Sequence, residues 1–155
     1  MDDVLPHARD LRKGRASLQN QIYLLTTVAR DRVPVFRDLS CGRIVVQALR
    51  FHAVRGGVQS LAFVVMPDHL HWLIQLSAGQ HLDRLMLSIK TYSARHVSAY
   101  LGRQGQGVWQ AGYHDHAVRR EEDVVGLARY VVANPLRAGL VERIADYPLW
   151  DAVWL

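Results

Sequence analysis

The stretch Phe63-Val64-Val65-Met66-Pro67-Asp68-His69-Leu70-His71-Trp72-Leu73-Ile74 decides how this chain is read. β-Branched, aromatic and apolar residues flank Pro67-Asp68, a pair suited to a tight turn. The stretch therefore predicts a hairpin, with Val58 to Val65 as one strand and His69 to Leu76 as the next. Alternate residues of a strand share a face. His69 and His71 thus project side by side, within reach of one metal ion, while Leu70, Trp72 and Ile74 point the other way, toward a core. The same spacing also describes two histidines on a wet surface with no ligand, so chemistry needs a third partner.

Working outward, Tyr23 to Ala29 is rich in β-formers and predicts a strand. Cys41 to Val54 carries Ile44, Val45, Ala48, Leu49 and His52 at helical spacing and is closed by Gly56-Gly57. Leu82 to Tyr100 predicts a long amphipathic helix, Gly102 to Gly107 a loop, and Trp109 to Val118 contains a fourth strand. Glu121 to Asn134 predicts a third helix whose acidic start suits the helix dipole. The order β-α-β-β-α-β, followed by a helix and a tail, is that of an α+β ferredoxin-like fold. It implies an antiparallel sheet with two helices on one face and the third strand at its centre. The histidine face is then the open one, and the third helix must fold over it.

On that helix Tyr130 and Asn134 are four apart and share a face. A phenol beside an amide oxygen is a candidate nucleophile beside a candidate metal ligand, and the same spacing also describes an amphipathic helix with a surface hydroxyl. Gly126, one turn earlier, is read as leaving space for a substrate above Tyr130.

Length and composition set bounds. With 155 residues and half of them hydrophobic, the chain is read as one domain, 1–155, opening on a flexible basic segment, 1–15. The longest apolar run, Leu61 to Met66, is too short to span a bilayer, and no signal-peptide pattern is seen. A single cysteine, Cys41, excludes an intrachain disulfide, fits a reducing compartment and reads as a packing residue. The net charge is +5, and the nineteen basic residues are seventeen Arg and two Lys. Arginine's planar fork matches phosphate oxygens and stacks on bases, so the bias favours a nucleic-acid partner. Arginine-rich codon usage in a high-GC genome is the weaker alternative and would explain much of the Lys shortage.

Several stretches together resemble one family. They are Gly14-Arg15 with Tyr23-Leu24-Leu25-Thr26-Thr27, Met66 to His71, Trp109 to Arg119, Tyr130 to Val141, and Asp146-Tyr147-Pro148-Leu149-Trp150. The chain from about Lys13 onward is similar to the single-tyrosine HUH transposase superfamily and, more narrowly, to the REP-associated tyrosine transposases, tied to repetitive extragenic palindromes. The resemblance implies a metal-dependent single-stranded DNA endonuclease and strand transferase that binds DNA hairpins and cleaves through a 5′-phosphotyrosine. It makes Tyr130 the catalytic nucleophile and His69, His71 and Asn134 the ligands of Mg²⁺ or Mn²⁺. It also implies DNA contacts by Arg12, Lys13 and Arg15 at the N-terminus, and Arg119, Arg120 and Arg129 flank the catalytic helix as phosphate contacts. A bacterial, cytoplasmic, nucleoid-associated protein follows, with no membrane partner. The palindrome-associated branch implies a monomer, and insertion-sequence relatives imply a dimer.

Rival readings stand beside these. His114 and His116 also alternate on a strand and share the spacing of a metal pair. Tyr92, on a helix beside Lys90 and Arg95, is the other candidate nucleophile. Trp109 and Tyr113 could stack on unpaired bases, and Trp109 equally fits a core. A hairpin-binding module that has lost cleavage is one rival, which the intact His69, His71, Tyr130 and Asn134 argue against; a hydrolase using a metal-bound water, with Tyr130 a bystander, is the other.

Overall fold

The computed structural model describes residues 20–119 and 122–153. The strands are β1 (Ile22–Val28), β2 (Val58–Met66), β3 (His69–Leu76), β4 (His114–Ala117) and β5 (Trp150–Ala152). The helices are α1 (Leu39–Val54), α2 (Leu82–Tyr100), α3 (Val124–Val132) and the single turn α4 (Asn134–Arg137). One antiparallel sheet has the order β4-β1-β3-β2-β5, with β3 at its centre. Its first four strands have the ferredoxin-like arrangement that the element order predicts.

The sheet is covered on both faces. Leu70, Trp72, Ile74 and Leu76 of β3 join Tyr23 and Leu25 of β1 against Val45 and Leu49 of α1 and Leu85, Met86 and Ile89 of α2. Trp72 is fully buried, and its indole N–H donates to Ser60 Oγ at 2.9 Å, which spares the sheet an unpaired buried donor. On the opposite face Leu73 of β3 packs with Leu61, Ala62, Val64 and Met66 of β2 under Ala128, Val131 and Val132 of α3. The alternation along β3 therefore sends its aliphatic and indole side chains into the larger core. Leu73 goes into the smaller core, and His69 and His71 sit at the edge of that smaller core.

α1 begins at Leu39, two residues before the expected start, because the Asp38 carboxylate accepts from Ser40 N at 2.9 Å and caps it. It ends through Gly56, whose φ of +78° suits a residue without a Cβ. Trp109 lies outside β4, bridged to Ala29. It is core: its ring meets Phe36 at 4.8 Å and its N–H donates to Ser93 Oγ at 2.8 Å.

Three expectations change. The third helix is shorter than Glu121–Asn134: it runs Val124–Val132, and Asn134 opens the separate turn α4. Pro135 is the cause, since it lacks an N–H and its ring crowds the carbonyl of Val131. The space above Gly126 is not open either, because an added Cβ would lie 2.5 Å from Asp123 Oδ2. The glycine makes room for the carboxylate that precedes the helix. The tail, finally, is a strand. β5 pairs with β2 through Ala62↔Ala152, Phe63↔Asp151 and Val64↔Trp150. Residues 1–15, with Arg12, Lys13 and Arg15, and also Arg120, lie outside the described residues. Among those described, no helix is long and apolar enough to cross a membrane.

Candidate active site

His69 and His71, the first and third residues of β3, project toward the α3 side of the sheet, with ring centroids 4.8 Å apart and planes at 79°. Each ring is held by its Nδ1. His69 Nδ1 donates to Asp68 Oδ1 at 2.7 Å, and His71 Nδ1 lies 2.8 Å from Thr26 Oγ1. Thr26 is the direct cross-strand neighbour of His71, so the β1–β3 register delivers this contact. With both Nδ1 atoms engaged, each Nε2 is left to face outward, the usual arrangement behind metal-bound imidazoles.

Asn134 completes the group. Its amide nitrogen is 3.4 Å from His69 Nε2. A half-turn of the amide puts Oδ1 in nearly the same place. Two donors that share one ion, each about 2.1 Å from it, stand roughly 3 Å apart, so the spacing fits the His69 imidazole and the Asn134 amide oxygen on one cation, with the His71 ring beside them. Among the described residues no three His, Cys, Asp or Glu side chains cluster to hold an ion. An amide is therefore needed to make a third ligand.

The electrostatics suit ligation. Burial, then the neighbouring His69 and then Arg137, push His71 down to about 4, so it is neutral and keeps a lone pair at neutral pH. Burial raises the Asp68 carboxyl, but its hydrogen bond to His69 and the charges of His69 and Arg32 outweigh that and hold it below the usual carboxylate range. Arg32 Nη1 reaches Asp68 Oδ2 at 3.4 Å.

Tyr130 stands one turn before Asn134 and is 56% exposed. Its hydroxyl has no hydrogen-bond partner among the described residues. Its ring lies under the guanidinium of Arg137, which is 3.8 Å from the ring centroid. The α3–α4 break thus gathers Tyr130, Asn134 and Arg137 on one short segment above the two histidines. Arg119 and Arg129 are exposed, and the backbone N–H of Arg119 is bound by Glu122 at 3.0 Å.

The rival residues fall elsewhere. His116 pairs with Glu122 at 3.0 Å. His114 faces the same side as His71, but Thr26 stands between them, so the two belong to strands that are not neighbours. Tyr92 lies on α2, across the sheet, with its ring 4.2 Å from His96. Tyr113 donates to Asp83 at 2.6 Å.

Three residues escape a reading of the sequence: Thr26, Asp68 and Arg137. Arg137 had a signal, since it lies one turn past Asn134. Thr26 is 45 residues from its histidine, and nothing local announces the pair.

Residues 17–134 match the family described as transposase, IS200-like. The chain belongs to that family. Among relatives of this IS200-like transposase, a Haemophilus influenzae protein named as a REP-associated tyrosine transposase is 25% identical over 99 residues, 58% of this chain and 56% of the relative. The REP-associated tyrosine transposase of Escherichia coli K12 is 26% identical over 88 residues, 56% of this chain and 50% of the relative. The chain spans about half the length of these curated relatives in the match. A solved REP-associated tyrosine transposase bound to a REP hairpin superposes with a TM-score of 0.67 at 21% identity, covering 86% of this chain and 78% of that one. A crystal structure from Deinococcus radiodurans R1, named as a transposase, gives 0.55 at 23% identity, over 71% and 87% of the two chains. At these identities the two solved structures speak for the fold.

Proposed function

We propose that this IS200-like transposase is a metal-dependent single-stranded DNA endonuclease and strand transferase that acts beside a hairpin, with Tyr130 as its nucleophile. The observation that carries the reading is the convergence of His69, His71 and Asn134, with both Nδ1 atoms tied back, directly beneath the segment that bears Tyr130. The same geometry disfavours the reading as a binding module alone, which has no use for two oriented Nε2 atoms.

His69, His71 and Asn134 would hold a divalent ion, Mg²⁺ or Mn²⁺, which supplies Lewis-acid stabilisation of a scissile phosphate when bound. The chain's own residues do the rest. The Tyr130 oxygen attacks phosphorus and loses its proton to solvent. The bond from phosphorus to the 3′ oxygen breaks, and that oxygen takes up a proton, leaving a 5′-phosphotyrosine and a free 3′-hydroxyl. The link conserves the phosphodiester for transfer to another 3′-hydroxyl. Arg137, over the tyrosine ring, offers its fork to phosphate oxygens. A single strand is the proposed substrate, as the family resemblance implies, and its flexible backbone can bend toward the site while unpaired bases are free to stack. Hairpin recognition follows the named relatives, one of which is solved with a REP hairpin.

The test uses hairpin oligonucleotides with single-stranded flanks taken from repetitive palindromes, with Mn²⁺ added. The wild-type protein should cut one strand and carry a denaturant-resistant adduct on tryptic peptide 130–137. Tyr130→Phe should bind the hairpin normally and give neither product. An adduct on any other peptide, or cutting by Tyr130→Phe at the wild-type rate, overturns the assignment. Cutting without an adduct favours hydrolysis by water.

A further inference from the structure

We propose that Gln110 and His114 form a nucleobase subsite that reads the base next to the cut. The inference rests on the proposed reading of His69, His71, Asn134 and Tyr130 as the strand-cleaving site.

A cavity of about 180 Å³ adjoins that site and is lined by Thr26, Val28, Gln110, Gly112, Tyr113 and His114. Its floor is β1. Thr26 and Val28 alternate with Leu25 and Ala29, which belong to the core under α1 and α2, so the cavity opens on the face that carries His69 and His71. Thr26 belongs to both places: it lines the cavity and holds the Nδ1 of His71. The register sets the distance. His114 pairs with Thr26, and Thr26 pairs with His71, so His114 lies two strands from the metal-site histidine. Neighbouring strands are about 4.8 Å apart. The separation is thus about 10 Å, with Thr26 between the two histidines, and within reach of a nucleoside whose phosphate lies at the site.

The walls suit a base. The cavity is smaller than the ~300–1,000 Å³ of sites for drug-sized ligands and suits one flat ring rather than a stem. Among the described residues, the side chains of Gln110 and His114 have no protein hydrogen bond or ion pair, although both are polar and both line the hollow. A Gln amide presents a donor beside an acceptor, the pair that matches a base edge, and an imidazole offers a flat face and a ring nitrogen. The turn that carries them is fixed from below. Lys90 Nζ donates to the carbonyls of Gln110 at 2.8 Å and Gly112 at 2.6 Å, and Gln110 N donates to Val28 O at 2.9 Å. Gly112, with φ of +78°, makes that bend possible. A compact ammonium can bond two converging carbonyls, which gives a role to one of the chain's two lysines. His114 thereby gains a use that its spacing alone could not settle.

The test is a pool of hairpin oligonucleotides with randomised single-stranded flanks, incubated with the full chain and Mn²⁺. Covalent adducts are captured and sequenced. Wild type should favour one base at a position beside the cut by about tenfold or more. Gln110→Ala and His114→Ala should flatten that one position to less than about threefold, with the preferences at the other positions and the thermal midpoint close to wild type. Unchanged preference in both variants, or equal loss at every position, overturns the subsite. If wild type forms no adduct with any member of the pool, the cleavage reading fails separately. The subsite is then decided by 4-thiothymidine placed in the flank next to the hairpin. Photocrosslinks to peptide 104–119 that Gln110→Ala and His114→Ala abolish would support it, and crosslinks only elsewhere would overturn it.

Discussion

Asp68 holds His69 from behind, its Oδ1 accepting from the ring Nδ1 at 2.7 Å, while its other oxygen meets Arg32 at 3.4 Å. The carboxylate fixes the tautomer of the imidazole and so aims Nε2 at the place where Asn134 arrives. Thr26 does the same for His71 from a different strand. Loss of such a support costs about 10–100-fold in metal affinity. Asp68→Ala and Thr26→Val should each weaken Mn²⁺ binding by an amount in that range, read by calorimetry or by the Mn²⁺ resonance signal without any DNA. Asp68→Asn keeps an acceptor oxygen and should lose less. Mn²⁺ affinity equal to wild type in Asp68→Ala would remove the carboxylate from the site.

Arg137 is close enough to His71 to add, after burial and His69, to the lowering of its pKa, and its guanidinium caps the Tyr130 ring at 3.8 Å. One guanidinium thus adjoins both the proposed nucleophile and a proposed metal ligand. Arg137→Ala should slow single-turnover cleavage by about 100-fold, in the range reported for removal of one preorganised charge-stabilising donor. Hairpin affinity should change little. Arg137→Lys should restore only part of the rate, because a point charge lacks the planar fork. A rate within twofold of wild type in Arg137→Ala would leave the residue a packing role only.

The hairpin at Pro67-Asp68 and the shared face of His69 and His71 were legible because both follow from local rules, turn chemistry and the two-residue period. The ferredoxin-like order was legible for the same reason. What stayed hidden depends on pairings far apart in the chain. Thr26 meets His71 only once β1 lies beside β3. β5 is three residues long, too short to show a period, and exists as a strand because β2 offers it an edge. The break between α3 and α4 did have a local sign in Pro135. The i, i+4 spacing of Tyr130 and Asn134 suggests one continuous helix, and the proline overrides it.

The tail holds the far side of the sheet. Tyr147 donates to Val65 O at 2.6 Å, Leu149 is 5% exposed, and its side chain lies against Gly42 of α1, where a Cβ would collide with it. Leu149→Ala should cost about 2–5 kcal/mol in urea denaturation, as burial of that size implies. Tyr147→Phe should cost about 1 kcal/mol at neutral pH through the lost hydrogen bond. Alkali separates the two variants. Burial pushes the Tyr147 phenol up to about 12 in the folded chain, against about 10 for an exposed phenol. The folded form keeps it neutral while the unfolded form ionises. Its contribution is therefore complete below pH 10 and is lost as pH rises from 10 to 12. The stability gap between wild type and Tyr147→Phe should narrow across that window, and the gap between wild type and Leu149→Ala should stay constant. A Tyr147→Phe gap that holds constant to pH 12 would show that the phenol is not held neutral by the fold.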